Sequence, residues 1–494
     1  MSAGNTASPA TPVALLMARV TEWVDAWRGF PLPRANEAWG QPGVYQPNYE
    51  GECAVSDTTA QLLRHWFRPF PHELPGGGLF RYWPHQRRFV ETVIYLHEVC
   101  GIRSVDALYD AFEVPRGFEA FDPWPKLGGQ LATGSGKTKM MSLLVAWSVL
   151  NALREGAEHL GMGPQAIIVA PGLFVKERLL FDFSPDGRPS VFRADPVIPP
   201  ALERDWRLPV YGPDTAPLRL DPRDPALIVT NVHQLFRQPD PPPVIPREGI
   251  QGWLAFETAM PKKLEDTDTP LLARFRRGPG VLVLNDEAHH VGDEPAHQRF
   301  EKAAANKLKA GDEGPTELAW IRSLRTLHQQ AGLGLQVDLS ATLYEERGGA
   351  RTARSKASES GAPAPFRHTV VDYPLREAIL DGVVKYPILE RVRAVRGEVE
   401  ESPVREGQPN AWLTYEPLLR AGIERWCKVR DELAAEGDTR KPILFLICAN
   451  SNEAQEITNQ LTYGEASREK LDEVRQVTGF VREPGADPLF VEDD

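Results

Sequence analysis

Residues 127–138, Leu-Gly-Gly-Gln-Leu-Ala-Thr-Gly-Ser-Gly-Lys-Thr, constrain the fold of this chain more than any other stretch. Gly134 and Gly136 permit a turn tight enough for successive backbone N–H groups to point at phosphate oxygens, with Thr133 before them and Ser135 between them in the same cradle. Lys137 adds a compact cation suited to β- and γ-phosphates, and Thr138 a hydroxyl suited to Mg²⁺. A loop of this kind works between a strand and a helix that opens at the lysine. Residues 137–155 supply the helix: Met140, Leu143, Leu144, Trp147 and Leu150 recur at helical spacing, and Gly156 follows as a stop. The strand before the loop is weakly signalled, because Gly128 and Gly129 are poor strand formers. Leu131 also stands where the general pattern G-x-x-x-x-G-K-[ST] has glycine.

Four short apolar runs follow, at 166–170, 226–230, 281–285 and 333–339. Continuous Val, Ile and Leu of this length read as strands buried on both faces of a parallel sheet, and helical stretches separate them. The expected class is therefore α/β, a parallel sheet flanked by helices. Each run ends in polar or turn residues: Pro171-Gly172, Asn231, Asp286-Glu287 and Ser340-Ala341-Thr342. Ligands of open α/β sheets gather at the carboxyl ends of strands, so these tails are expected near the glycine loop. An apolar strand ending in two carboxylates suits metal-assisted phosphoanhydride hydrolysis. Asp286 would hold the Mg²⁺ shell, and Glu287 would orient and deprotonate the attacking water. The hydroxyls of Ser340 and Thr342 can hydrogen-bond those carboxylates.

At 494 residues the chain exceeds one compact core, so several domains are expected. Residues 1–80 carry Pro- and Gly-rich joints around a few helical stretches, one at 60–67 with Ser56, Asp57 and Thr58 as caps, and read as an accessory segment. Residues 81–344 form the first α/β domain. Residues 345–365, rich in Gly, Ala, Ser, Arg and Lys, read as a linker or mobile loop. A second unit, 366–494, holds a helix from 416 to about 436, with Pro417 in its first turn and Gly437 as its stop, and then a strand at 443–448. No apolar run approaches a membrane span, and residues 1–12 lack a signal-peptide pattern. The scattered Cys53, Cys100, Cys427 and Cys448 fit a reducing cytoplasm. A net charge of −12 means that any nucleic acid must be held by a local basic groove, hydroxyls or main-chain N–H groups.

Taken together, Ala-Thr-Gly-Ser-Gly-Lys-Thr at 132–138, Asp-Glu-Ala-His at 286–289, Ser-Ala-Thr at 340–342 and the Pro84-His85-Gln86 element resemble the superfamily-2 DEAH helicases. The resemblance implies a RecA-like P-loop fold that binds ATP with Mg²⁺. It places Gln86 on the adenine edge, makes His289, Ser340 and Thr342 coupling residues, and sets Pro171, Gly172, Asn231 and His233 against a nucleic-acid backbone. Leu284-Asn285-Asp286-Glu287-Ala288-His289-His290, Asp338-Leu339-Ser340-Ala341-Thr342 and the Tyr-Pro-Leu-x-Glu-Ala-Ile element at 373–379 are similar to restriction subunits of type III-like endonucleases. Those subunits couple an ATP-driven translocase on double-stranded DNA to a nuclease and work beside a DNA methyltransferase.

Two family features are missing. The sequence holds no Gln-x-x-Gly-Arg-x-x-Arg, whose arginines act on the γ-phosphate, and no nuclease pattern of Asp followed by a strand-borne Glu-x-Lys. The second RecA-like lobe is therefore expected to be incomplete here, with the arginines and nuclease supplied by a second chain or a downstream segment. The competing expectations are a stand-alone DNA or RNA helicase, and an ATP-binding subunit of a defence complex that does not hydrolyse.

Overall fold

Seven parallel strands organise the larger part of the chain, in the spatial order β11-β3-β8-β7-β4-β6-β5. The structure, a computed structural model, describes residues 11–32, 55–74, 76–116, 122–184, 189–235, 271–290, 316–345, 364–386, 411–448, 453–454, 456–458 and 461. In chain order the strands are β1 (His72–Glu73), β2 (Leu79–Phe80), β3 (Lys126–Leu131), β4 (Gln165–Ala170), β5 (Val210–Tyr211), β6 (Ala226–Asn231), β7 (Val281–Asp286), β8 (Leu333–Ser340), β9 (Tyr344–Glu345), β10 (Ala364–Pro365) and β11 (Thr369–Tyr373). The four expected apolar runs are β4, β6, β7 and β8, each one residue longer than its apolar stretch.

Their alternating side chains build two separate cores. Ala166, Ile168, Leu282, Leu284, Leu335 and Val337 face one, which they share with Phe89, Leu143, Leu144 and Trp147. Ile167, Val169, Val281 and Val283 face the other, beneath Trp320, Leu324 and Leu327 of the helix Thr316–Gln330. Each such buried Leu or Val is worth about 1.5–3 kcal/mol, so a one-residue slip of any strand would exchange the faces at prohibitive cost.

The weakly signalled strand before the loop is β3, and packing explains its two glycines. A Cβ on Gly129 would run into the ring of Phe89, and one on Gly128 would meet the Cδ2 and carbonyl oxygen of His368 at 3.2 and 3.3 Å. The chain needs small residues there because other groups press directly on the backbone.

Helices α1 (Pro12–Arg28), α2 (Asp57–Trp66), α3 (Pro84–Ile94), α4 (Val105–Ala111), α5 (Lys137–Arg154), α6 (Ala157–Leu160) and α7 (Leu173–Phe183) surround the sheet. Ser56 is the cap of α2, its side chain accepting from the Thr59 N–H at 2.9 Å. Helix α3 passes into a π-helical turn, Tyr95–Val99. The N-terminal helices are part of this body. Glu91 of α3 accepts from Arg28 Nε of α1 at 2.5 Å and from Arg87 Nε at 2.8 Å, with all three side chains buried.

One boundary differs from expectation. The chain divides into units of residues 1–386 and 387–494, not at 365/366, because β11 pairs in parallel with β3 and so belongs to the first sheet. Of the expected linker, residues 346–363 lie outside the described residues, while its flanks β9 and β10 pair antiparallel.

In the second unit the helix is Ala411–Ala435, so Pro417 lies beyond its first turn, and Gly437 ends it with φ of +74°. Residues 443–448 form no strand among the described residues, which corrects the expectation. Leu446 and Cys448 pack on Leu419, Ile457 and Leu461, while Ile443, Phe445 and Ile447 are exposed. A strand needs a neighbour for its backbone hydrogen bonds, and none is described beside this segment. Residues 449–451, expected to end that strand, lie outside the described residues. Among the described residues no helix is long and apolar enough to cross a membrane.

Candidate nucleotide site

The polar tails of β7 and β8 and the loop after β3 meet at the carboxyl edge of the sheet, because β8 lies between β3 and β7. Gly134 and Gly136 sit at φ of +82° and +87°, and Gly136 caps α5. A side chain at Gly136 would strike the amide nitrogen of Gln86. The Lys139 and Met140 N–H groups of α5 bond the Gly136 carbonyl at 3.0 and 3.2 Å, which leaves the N–H groups of Lys137 and Thr138, beside the loop, to suit an anion.

Lys137 opens α5, and its Nζ lies 2.8 Å from Glu287 Oε1. The Ser340 hydroxyl donates to Glu287 Oε2 at 3.2 Å. With its proton committed there, Ser340 Oγ accepts from His289 Nδ1 at 2.7 Å and from the Thr342 N–H at 3.1 Å. One bonded set thus joins the tails of three strands. Glu287 holds φ of +48°, a left-handed conformation that costs a non-glycine residue about 1 kcal/mol and persists where the surroundings impose it.

Asp286 ends β7 and is buried, and its Oδ1 has no hydrogen-bond partner. Burial raises its pKa, the Lys137 charge opposes that rise, and the neighbouring Glu287 adds to it. A buried carboxylate oxygen short of donors fits a hard divalent cation with oxygen ligands.

Gln86 is buried beneath the loop, with both ends of its amide engaged. Its Oε1 accepts from the Trp83 N–H at 3.0 Å, capping α3, and its Nε2 donates to the Ser135 carbonyl at 2.9 Å. His85 donates from Nε2 to the same carbonyl at 2.8 Å and stacks on Tyr373, with centroids 4.0 Å apart and planes 5° from parallel. Burial lowers the His85 pKa, which suits a neutral ring in a stack. The Tyr373 hydroxyl donates to Asp381 at 2.9 Å. Neither His85 nor Tyr373 is assigned a role by sequence reasoning, since one stands beside a more conspicuous glutamine in α3 and the other lies 288 residues away in β11 (373 − 85).

The remaining expected residues occupy the same edge without joining this set. Pro171 and Gly172 lead into α7, with Gly172 as its N-cap. Asn231 ends β6, accepts from the Gln234 N–H at 2.9 Å through Oδ1, and leaves a buried Nδ2 without a partner. His233 lies in the short helix Val232–Leu235, and its side chain is outside the described residues. In strand order β4 and β6 lie beyond β7 from the loop, which separates these tails from Lys137.

A buried polar cluster lies under the site. Asp338 Oδ1 accepts from Asn285 Nδ2 at 2.7 Å, its Oδ2 accepts from His368 Nε2 at 2.7 Å, and Gln336 Nε2 reaches both oxygens at 3.0 and 2.9 Å. Trp124 and Trp320 donate their indole N–H groups to Gln336 Oε1 at 2.8 Å and Asn285 Oδ1 at 3.2 Å. Burial alone would raise the Asp338 pKa, but the bonds from His368, Asn285 and Gln336 outweigh it and hold the carboxyl below its ordinary value. No family model matches the chain, and no curated protein matches it.

Proposed function

We propose that this chain is the ATP-dependent motor portion of a DNA translocase resembling the restriction subunits of type III-like endonucleases, its parallel sheet being a RecA-like lobe. The observation that carries the reading is the bonded set Lys137–Glu287–Ser340–His289, with the unpartnered Asp286 oxygen beside it. Lys137 and the first-turn N–H groups of α5 bind the phosphates. Thr138 and Asp286 would hold Mg²⁺, which when bound neutralises phosphate charge. Glu287 orients water and takes its proton, and Ser340 and His289 report the state of that carboxylate to the rest of the lobe. Double-stranded DNA lies along the tails of β4 and β6. A methyltransferase and a segment bearing the missing arginines and a nuclease complete the system, in the cytoplasm.

Equilibrium binding of a fluorescent ATP analogue with Mg²⁺ tests this. Lys137→Ala removes charged hydrogen bonds worth about 1.5–3 kcal/mol and weakens binding about tenfold or more. Glu287→Gln keeps the affinity and abolishes DNA-stimulated phosphate release. Unchanged affinity in Lys137→Ala overturns the reading. The competing reading is a subunit that binds ATP without hydrolysing it. Tight binding by the unaltered chain with no phosphate release, even with DNA, selects that alternative.

A further inference from the structure

His368 immediately precedes β11 and is buried. It touches two of the strands behind the site and reaches the third through Asp338. Its backbone carbonyl accepts the Gly128 N–H at 2.7 Å, in the strand that feeds the glycine loop. Its ring donates to Asp338, two residues before Ser340 in β8. Asp338 in turn accepts from Asn285, the residue before Asp286 in β7, and Asn285 and Asp338 are direct register partners. Apolar contacts between strands tolerate small slides and rotations, whereas a dry carboxylate held by directed donors admits only one arrangement. Asp286, Glu287 and Ser340 lie one or two positions further along the chain than Asn285 of β7 and Asp338 of β8.

We propose that His368 is a positioning residue for the hydrolytic site: through Asp338 and Asn285 it fixes β7 against β8 and β3, and so the placing of Asp286, Glu287 and Ser340 relative to the loop. This rests on the ATPase reading above. Because it concerns geometry at the reacting centre, it bears on recognition of the transition state more than on hold of the nucleotide.

The full chain is titrated with Mg·ADP alone and with Mg·ADP plus aluminium fluoride, which mimics the phosphoryl group in transfer. His368→Leu is expected to leave the ADP affinity within about twofold and to weaken the fluoride complex about tenfold or more, as small misplacements at a reacting centre do. His368→Gln, whose Nε2 can still donate to Asp338, should recover most of that loss. Asn285→Ala, a smaller change that breaks the same chain at β7, should reproduce the selective loss and decides the matter if His368→Leu does not fold. Equal weakening of both complexes, no weakening of either, or failure of Gln to rescue overturns the positioning role. If the unaltered chain binds neither complex, the ATPase reading itself fails.

Discussion

Asp286 and Asp338 are both buried carboxylates on adjacent parallel strands, and their surroundings push them in opposite directions. Asp338 has donors for both oxygens and is held ionised. Asp286 leaves one oxygen without a donor, and its burial favours the protonated form. A structural carboxylate is satisfied by the protein itself, whereas one short of partners at a strand's carboxyl end is, on the function proposed above, open to a bound cation. The contrast extends to their neighbours. The cluster around Asp338 is dry and closed, and that around Glu287 is partly open and includes a strained residue.

Substitutions at three positions test that contrast. The largest effect is expected from Asp338→Ala, which strands the donors of His368, Asn285 and Gln336 in the core and should cost about 3–5 kcal/mol. Urea denaturation measures it, and a loss under about 1 kcal/mol would show that the cluster contributes little. An intermediate effect separates Glu287→Gly from Glu287→Ala. Both lose the partly exposed contact with Lys137, but only glycine relieves the left-handed backbone, so the glycine variant should be the more stable by about 1 kcal/mol. Equal midpoints would mean that the conformation stores no strain.

The smallest effect is the pH trend of Asp286→Asn. A carboxyl whose folded pKa is raised contributes stability at low pH, below its unfolded value, and loses it as pH rises through the folded value. The variant should therefore gain on the unaltered chain as pH rises above the unfolded value of about 4. Asp338, with its pKa lowered, follows the opposite rule: its contribution is present above the unfolded value and lost as pH falls through the folded one. Parallel trends for Asp286→Asn and Asp338→Asn would erase the distinction between the two sites.

Much of the larger unit is legible in the residues. Runs of Val, Ile and Leu with polar tails announce β4, β6, β7 and β8, because burial on both faces is a local property of composition. The loop 132–138 and the helix after it are equally local. Expectation failed where local pattern and tertiary context conflict. Residues 443–448 are continuously apolar, as a buried strand should be, yet no neighbour is described to pair with them. The segment 369–373 carries no strong mark, yet it becomes an edge strand because β3 offers it an open row of hydrogen bonds.

By itself, then, the sequence determined the glycine loop, the carboxylate tail of β7 and the apolar strands that hold them. Each depends on residues within a few positions of one another, where spacing and backbone preference act directly. Only the tertiary structure decided that β8 runs between β3 and β7, bringing Ser340 to Glu287. It also decided that Gly128 and Gly129 make room for His368 and Phe89, and that Asp338 finds donors 53 residues before it and 30 after. The physical reason is directionality: hydrophobic burial reads composition along the chain, whereas a buried hydrogen bond needs one particular atom at about 3 Å, and only the packed fold selects it.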